Sequence, residues 1–205
     1  MTRWGLRTVT RTRALLAGLA CLVVAGCSGA PAEPPDPVAT GNPPKVAFTA
    51  EITPGRGALS ITYQLTNQSP ADLVVVNRLL PDANAVFVIG QRDGRVQIGK
   101  RAFARPEDDK TDYATTPSTG GTVVGPGQSA GETFTVPLPL TRRHPYANDE
   151  IKLPDPVKDV VFCLGVLPRT AVPATTGPQG AVVVVHDKTT TTRQHLFCSP
   201  PARLS

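Results

Sequence analysis

The chain has 205 residues, with 21 Lys plus Arg against 16 Asp plus Glu, 22 Pro, 18 Gly and four Cys. Hydrophobic residues at 40% with only 18% charged exclude a charge-rich disordered chain and supply enough apolar side chain for a core. The Pro and Gly content weighs against a helical bundle and favours short strands joined by turns, and the formal charge of +5 raises the question of an anionic partner. Its location in the chain answers that question. Arg3, Arg7, Arg11 and Arg13 stand together at the N-terminus without an acidic residue. Removal of residues 1–26 takes these four Arg and no acid, which leaves 17 basic against 16 acidic residues and a charge of +1. The mature chain has no general claim on nucleic acid.

Behind the arginines, Ala14 to Gly26 is an uncharged apolar run of 13 residues. That is too short for a helix to cross a hydrocarbon core of about 30 Å, but it suits the apolar region of a secretory signal. It ends in Val24-Ala25-Gly26-Cys27, which resembles the lipobox of bacterial lipoproteins. The resemblance implies a diacylglyceryl group on the Cys27 sulfur, cleavage just before Cys27, and acylation of the new N-terminus. Two or three acyl chains give stable membrane anchoring, at about 0.8 kcal/mol per buried CH₂. An ordinary cleaved signal with a chance cysteine and an uncleaved anchor are the alternatives. The n-region has no Arg-Arg pair, which favours general export over the twin-arginine route. Ser28 after the cysteine resembles the residues that permit sorting to an outer membrane where one exists. Ser28 to Pro44 carries six Pro and no Leu, Ile or aromatic residue, so it reads as an extended tether able to hold a domain up to ~50 Å from the bilayer.

From Lys45 the hydrophobic period is two. Val46, Phe48, Ala50 and Ile52 alternate with polar or small neighbours, and Leu59, Ile61, Tyr63 and Leu65 do the same beyond the Pro54–Gly57 turn. Asn67-Gln68-Ser69-Pro70 turns the chain into the apolar run Leu73–Val76. Ala85–Ile89 and Arg95–Gly99 flank Asp93-Gly94, a hairpin signal. Pro106 to Gly121 reads as a long polar loop, followed by Thr122–Val124, a Gly125-Pro126-Gly127 turn and the strand Glu132–Leu140. Pro137 and Pro139 place that last strand at a sheet edge. Thr141–Pro156 reads as irregular, and Lys158–Leu167, Ala181–His186 and Thr192–Cys198 complete nine or ten strands. No amphipathic helix is expected. The pattern predicts an all-β, two-sheet antiparallel sandwich over residues 45–205, after a signal peptide (1–26) and a lipidated Cys with its tether (27–44). Leu65-Thr66-Asn67-Gln68-Ser69 and Val124-Gly125-Pro126-Gly127-Gln128-Ser129 resemble pieces of bacterial immunoglobulin-like envelope modules, which implies that architecture and no activity.

Four cysteines divide by position. Cys21 leaves with the signal and Cys27 carries lipid, so Cys163 and Cys198 remain, each in a predicted strand of an exported chain. A structural disulfide between them is the expectation, and a metal-binding or redox thiol pair is the alternative. His186 and His195 fall in a predicted terminal hairpin, where they would share a copper or zinc ion if both faced one way. Glu107-Asp108-Asp109 with Asp112 is acidic enough for Ca²⁺ but lacks the spacing of a calcium loop. Arg142-Arg143-His144-Pro145-Tyr146 offers charge to anionic lipid or glycan. No Ser-x-x-Lys, phosphate loop or metalloprotease helix occurs in the sequence. The sequence therefore points to a lipid-anchored, non-enzymatic binding or scaffolding sandwich without a cofactor, facing the periplasm or cell exterior and meeting an envelope protein or glycan. A metal-handling lipoprotein using His186 and His195 is one alternative. A hydrolase with a non-local site in the 106–121 and 141–156 loops is another.

Overall fold

The computed structural model describes residues 33–35, 37–78, 86–106, 116–146, 150–177 and 180–204. Among the described residues eleven strands follow one another: β1 (Val46–Pro54), β2 (Ala58–Asn67), β3 (Leu73–Arg78), β4 (Phe87–Gly90), β5 (Val96–Lys100), β6 (Ser118–Val124), β7 (Ser129–Pro137), β8 (Asp159–Pro168), β9 (Val182–Val185), β10 (His195–Cys198) and β11 (Ala202–Arg203). The only α-helix among them is α1 (Lys188–Thr191), a single turn capped by the Asp187 carboxylate, which accepts from the Thr190 amide at 2.6 Å. The fold is an all-β sandwich of two sheets.

The smaller sheet has the order β1-β2-β7, with β7 at its edge as the prolines require. The larger runs β4-β5-β8-β3-β6-β9, with β10 and β11 also paired to β8. Every pairing is antiparallel except β5 with β8, where Val96 to Lys100 run alongside Val160 to Leu164. Between the sheets lie Leu59, Ile61, Tyr63, Leu65, Phe134 and Val136 from the small sheet, against Val75, Val96, Ile98, Val160, Phe162, Leu164 and Val166 from the large one. Phe162 is the centre of this core: its ring lies 5.3 Å from that of Tyr63 and 5.7 Å from that of Phe134.

The two segments that resemble envelope modules are brought together. Asn67 is fully buried and its side-chain amide donates to the carbonyls of Ala71 and Val124, both at 2.9 Å. Its main chain exchanges hydrogen bonds with the Gly125–Gln128 turn: Asn67 N to Gln128 O at 2.9 Å and Gly127 N to Asn67 O at 2.8 Å. One asparagine thus fastens together two turns that each carry the chain from one sheet to the other. At the predicted Asp93-Gly94 hairpin, Gly94 takes φ +83°, a conformation only glycine adopts at no cost, and β4 and β5 pair across the turn.

The large sheet is covered on both faces. Val74, Val76, Leu167, Val182 and Val184 point away from the sandwich core and pack with Ala102 and Val172. This explains why β3 and β8 read as continuous apolar runs while β1 and β2 alternate. A second covered patch, Phe87, Ile89, Phe103 and Tyr146, lies beside β4. The chain after β5, the 141–146 segment and the residues flanking α1 therefore form a third layer. The predicted hairpin of Ala181–His186 with Thr192–Cys198 does not form. β9 pairs with β6, β10 pairs with β8, and α1 carries the chain between them. Strand-forming sequence was visible in both, but the partners were chosen by which exposed strand edge each could reach.

Candidate functional site

Two polar clusters are built into the layers. Lys100 is in phase with Val96 and Ile98 on β5, so the alternation carries it into the sandwich, where it is fully buried. Glu132 is in phase with Phe134 and Val136 on β7, and the Lys100 ammonium pairs with its carboxylate across the two sheets. The ammonium also donates to the Asn77 carbonyl at 3.3 Å and stands 4.6 Å from the Phe134 ring centre. Tyr63, directly opposite Glu132 in the β2–β7 register, buries its hydroxyl close to the Glu132 carboxylate and the Asn77 side chain. Burial, with the Glu132 carboxylate nearby, pushes its pKa upward, so it stays a neutral phenol.

The second cluster lies in the third layer. Arg101, one residue out of phase with Lys100, is buried on the other face of the large sheet, and its guanidinium stands 4.1 Å from the Phe103 ring centre. Gln97 accepts from Arg101 at 3.4 Å and from Gln91 at 3.1 Å. Gln194 replaces a missing strand partner: its amide accepts from Ala102 N at 2.8 Å and donates to Ala102 O at 3.1 Å. It fits because residue 165 is glycine, since a Cβ there would come within 2.2 Å of the Gln194 side-chain oxygen. His186 Nδ1 accepts from the Phe103 amide at 3.1 Å, and the Tyr146 hydroxyl donates to the His186 carbonyl. His144 stacks edge-on against Phe103 at 4.5 Å.

Burial, with His144 and Arg101 nearby, pushes the His186 pKa down to about 3, and burial also lowers that of His144. His186 is therefore neutral at pH 7, as an acceptor for the Phe103 amide must be. The unfolded chain takes up this proton near pH 6.5 and the folded chain does not, so stability falls as pH drops below 6.5. His186→Asn keeps a side-chain acceptor and removes the titration. Between pH 6.5 and 4.5 the wild type is expected to lose about 2 kcal/mol more stability than this variant, because the unfolded imidazole is already half protonated at pH 6.5 and the full slope of about 1.4 kcal/mol per pH unit sets in only below it. Urea unfolding at the two pH values measures the difference, and parallel losses would refute the assignment.

The sequence-predicted residues fall as follows. Cys163 and Cys198 face each other across β8 and β10 and are disulfide-bonded, with Cα atoms 4.1 Å apart. The metal pair separates: His186 is fixed in the third layer against Phe103, while His195 lies on β10 opposite Val166. The described residues contain no group of three or more His, Cys, Asp or Glu placed to hold a metal ion. The basic 142–146 segment is not an open patch. Arg142 is ion-paired with Glu33, Tyr146 is buried, and Arg143 alone of the three is exposed. Cys27 and the acidic residues Glu107, Asp108, Asp109 and Asp112 lie outside the described residues, as does much of the 106–121 loop. Lys100, Glu132 and Arg101 were missed as interior groups, although the phase of their neighbours on β5 and β7 was the available signal. No protein-family model matches the sequence, and no curated protein or solved structure matches it either.

Proposed function

We propose that the chain is a lipid-anchored cell-envelope protein whose β-sandwich binds or scaffolds another envelope component, a protein or a glycan, without catalysing a reaction. The observation that carries the reading is the Val24-Ala25-Gly26-Cys27 run placed after a basic n-region and an apolar stretch. The disulfide between Cys163 and Cys198 supports it, because such bonds persist in oxidising, exported compartments. The side-chain chemistry supports the non-enzymatic part. His186 spends Nδ1 on a main-chain amide, Tyr146 spends its hydroxyl on a carbonyl, and Gln194 spends both ends of its amide on Ala102. These groups hold loops against a sheet. Partner contact then belongs to loops at the ends of the sandwich, which tolerate variation without disturbing the core.

Growth with a fatty-acid analogue tests the anchor: the wild type is expected to take up label and Cys27→Ala to take up none. Equal labelling of the two would sink the reading. Pull-down of the detergent-solubilised, lipidated protein identifies the partner. A sandwich that retains no envelope component from solubilised membranes, under conditions that keep the lipidated chain folded, counts against a binding role.

A further inference from the structure

We infer that the Pro-rich tether is docked on the sandwich through Glu33 and Thr40, so that the lipid at Cys27 holds the 141–146 side of the domain close to the bilayer surface. The inference rests on the anchor reading of Cys27. A free tether over residues 28–44 would let the domain stand up to ~50 Å away. The structure removes most of that reach. The Glu33 side chain is 7% exposed and its carboxylate accepts from Arg142 Nε at 2.6 Å, with Arg142 itself 14% exposed. Further along, Thr40 donates twice to the Thr192 carbonyl, from its amide at 2.7 Å and its hydroxyl at 2.9 Å. Thr192 caps the C-terminal end of α1 and follows Thr191, which is buried in the third layer, so the second attachment is to a fixed part of the fold.

Glu33 lies six residues after Cys27. At about 3.4 Å per residue, even a fully extended chain places Glu33 within ~20 Å of the lipidated cysteine. The occupant of the face beside Arg142 is therefore the headgroup layer that holds the anchor. The chemistry fits. The ion pair neutralises Glu33, which would otherwise bring a carboxylate to a surface carrying phosphate, and the exposed Arg143 next to it adds a positive charge. A proline-rich composition that reads as a spacer thus acts as a strap, with the stiffness of its prolines reducing the entropy lost on docking.

The test uses the full-length lipidated protein in phosphatidylcholine vesicles that carry a headgroup energy acceptor, with a donor dye on Thr141→Cys, an exposed position of the same segment. Strong transfer is expected. Adding Glu33→Arg should release the strap and reduce transfer several-fold, and the exchange Glu33→Arg with Arg142→Glu should restore it. Equal transfer with and without Glu33→Arg overturns the docking, as does failure of the exchange to restore it. Failure of the anchor is read separately, before any fluorescence, as a protein that does not recover with the vesicles.

Discussion

Removing the disulfide, by Cys163→Ala with Cys198→Ser, is expected to lower the free energy of unfolding by about 4 kcal/mol while leaving the native fold intact. Cys163 and Cys198 are 35 residues apart, and the bond deletes from the unfolded ensemble every conformation in which the loop between them is open. The native contacts around the bond do not depend on it. Phe162 and Ser199 hold each other directly beyond the cysteines: Ser199 N donates to Phe162 O at 2.8 Å, and Phe162 N donates to Ser199 Oγ at 3.1 Å. β11 then continues the pairing at Val160 and Asp159. Most of the loss should therefore appear as a shifted denaturant midpoint with unchanged near-ultraviolet dichroism. Alanine is the replacement at 163 because that site is buried, where a serine hydroxyl would add its own desolvation cost. Against a typical stability of about 5–15 kcal/mol the loss is large. Reduction of the wild type by dithiothreitol should reproduce it, and a loss below about 1 kcal/mol in both experiments would show that the bond does not constrain the unfolded chain as argued.

The loop closed by this bond marks where sequence reasoning stops. β1, β2 and β8 were legible because a half-buried strand alternates and a strand covered on both faces does not, and both patterns are local. The edge position of β7 was legible from Pro137, since a proline cannot donate to a neighbouring strand. The pairing of Cys163 with Cys198 was expected from the lipobox resemblance, which set Cys21 and Cys27 aside, and the structure forms that bond. The partners of β9 and β10 were not legible. Val182–Val185 and His195–Cys198 are both good strands separated by a turn-like stretch, which is what a hairpin looks like locally. The deciding facts lie elsewhere in the chain: β6 has a free edge for β9, and β8 accepts β10 through the cysteines. The contact between Glu33 and Arg142 was hidden in a similar way. Glu33 and Arg142 are 109 residues apart, and nothing in a proline-rich composition announces a partner at that distance. The third layer was invisible for the same reason, since Gln194 and Ala102 meet only because the sheet places them together.

Lys100 and Glu132 are the case where local pattern did hold the information, and they carry the second large expected effect. Each is in phase with two apolar residues of its strand, so inward placement followed from period two even though both are charged. The pair links β5 of the large sheet to β7 of the small one, and its two members are not equally buried. The Lys100 side chain is 0% exposed and that of Glu132 is 27% exposed. Loss of the acid therefore costs more than loss of the base. Glu132→Gln strands a fully buried ammonium without its carboxylate, at an expected cost of about 3 kcal/mol, the lower end for a broken buried pair because water reaches the acid's side. Lys100→Met fills the same space without a charge and leaves Glu132 free to turn toward solvent, at an expected cost of about 1 kcal/mol. The double variant should cost no more than Lys100→Met alone, because the carboxylate is needed only while the ammonium is present. Urea midpoints of the wild type, both single variants and the double variant measure this directly. Additive losses, or a Glu132→Gln variant no weaker than Lys100→Met, would show that the two charges act independently and that the sheets are held together by the apolar core alone.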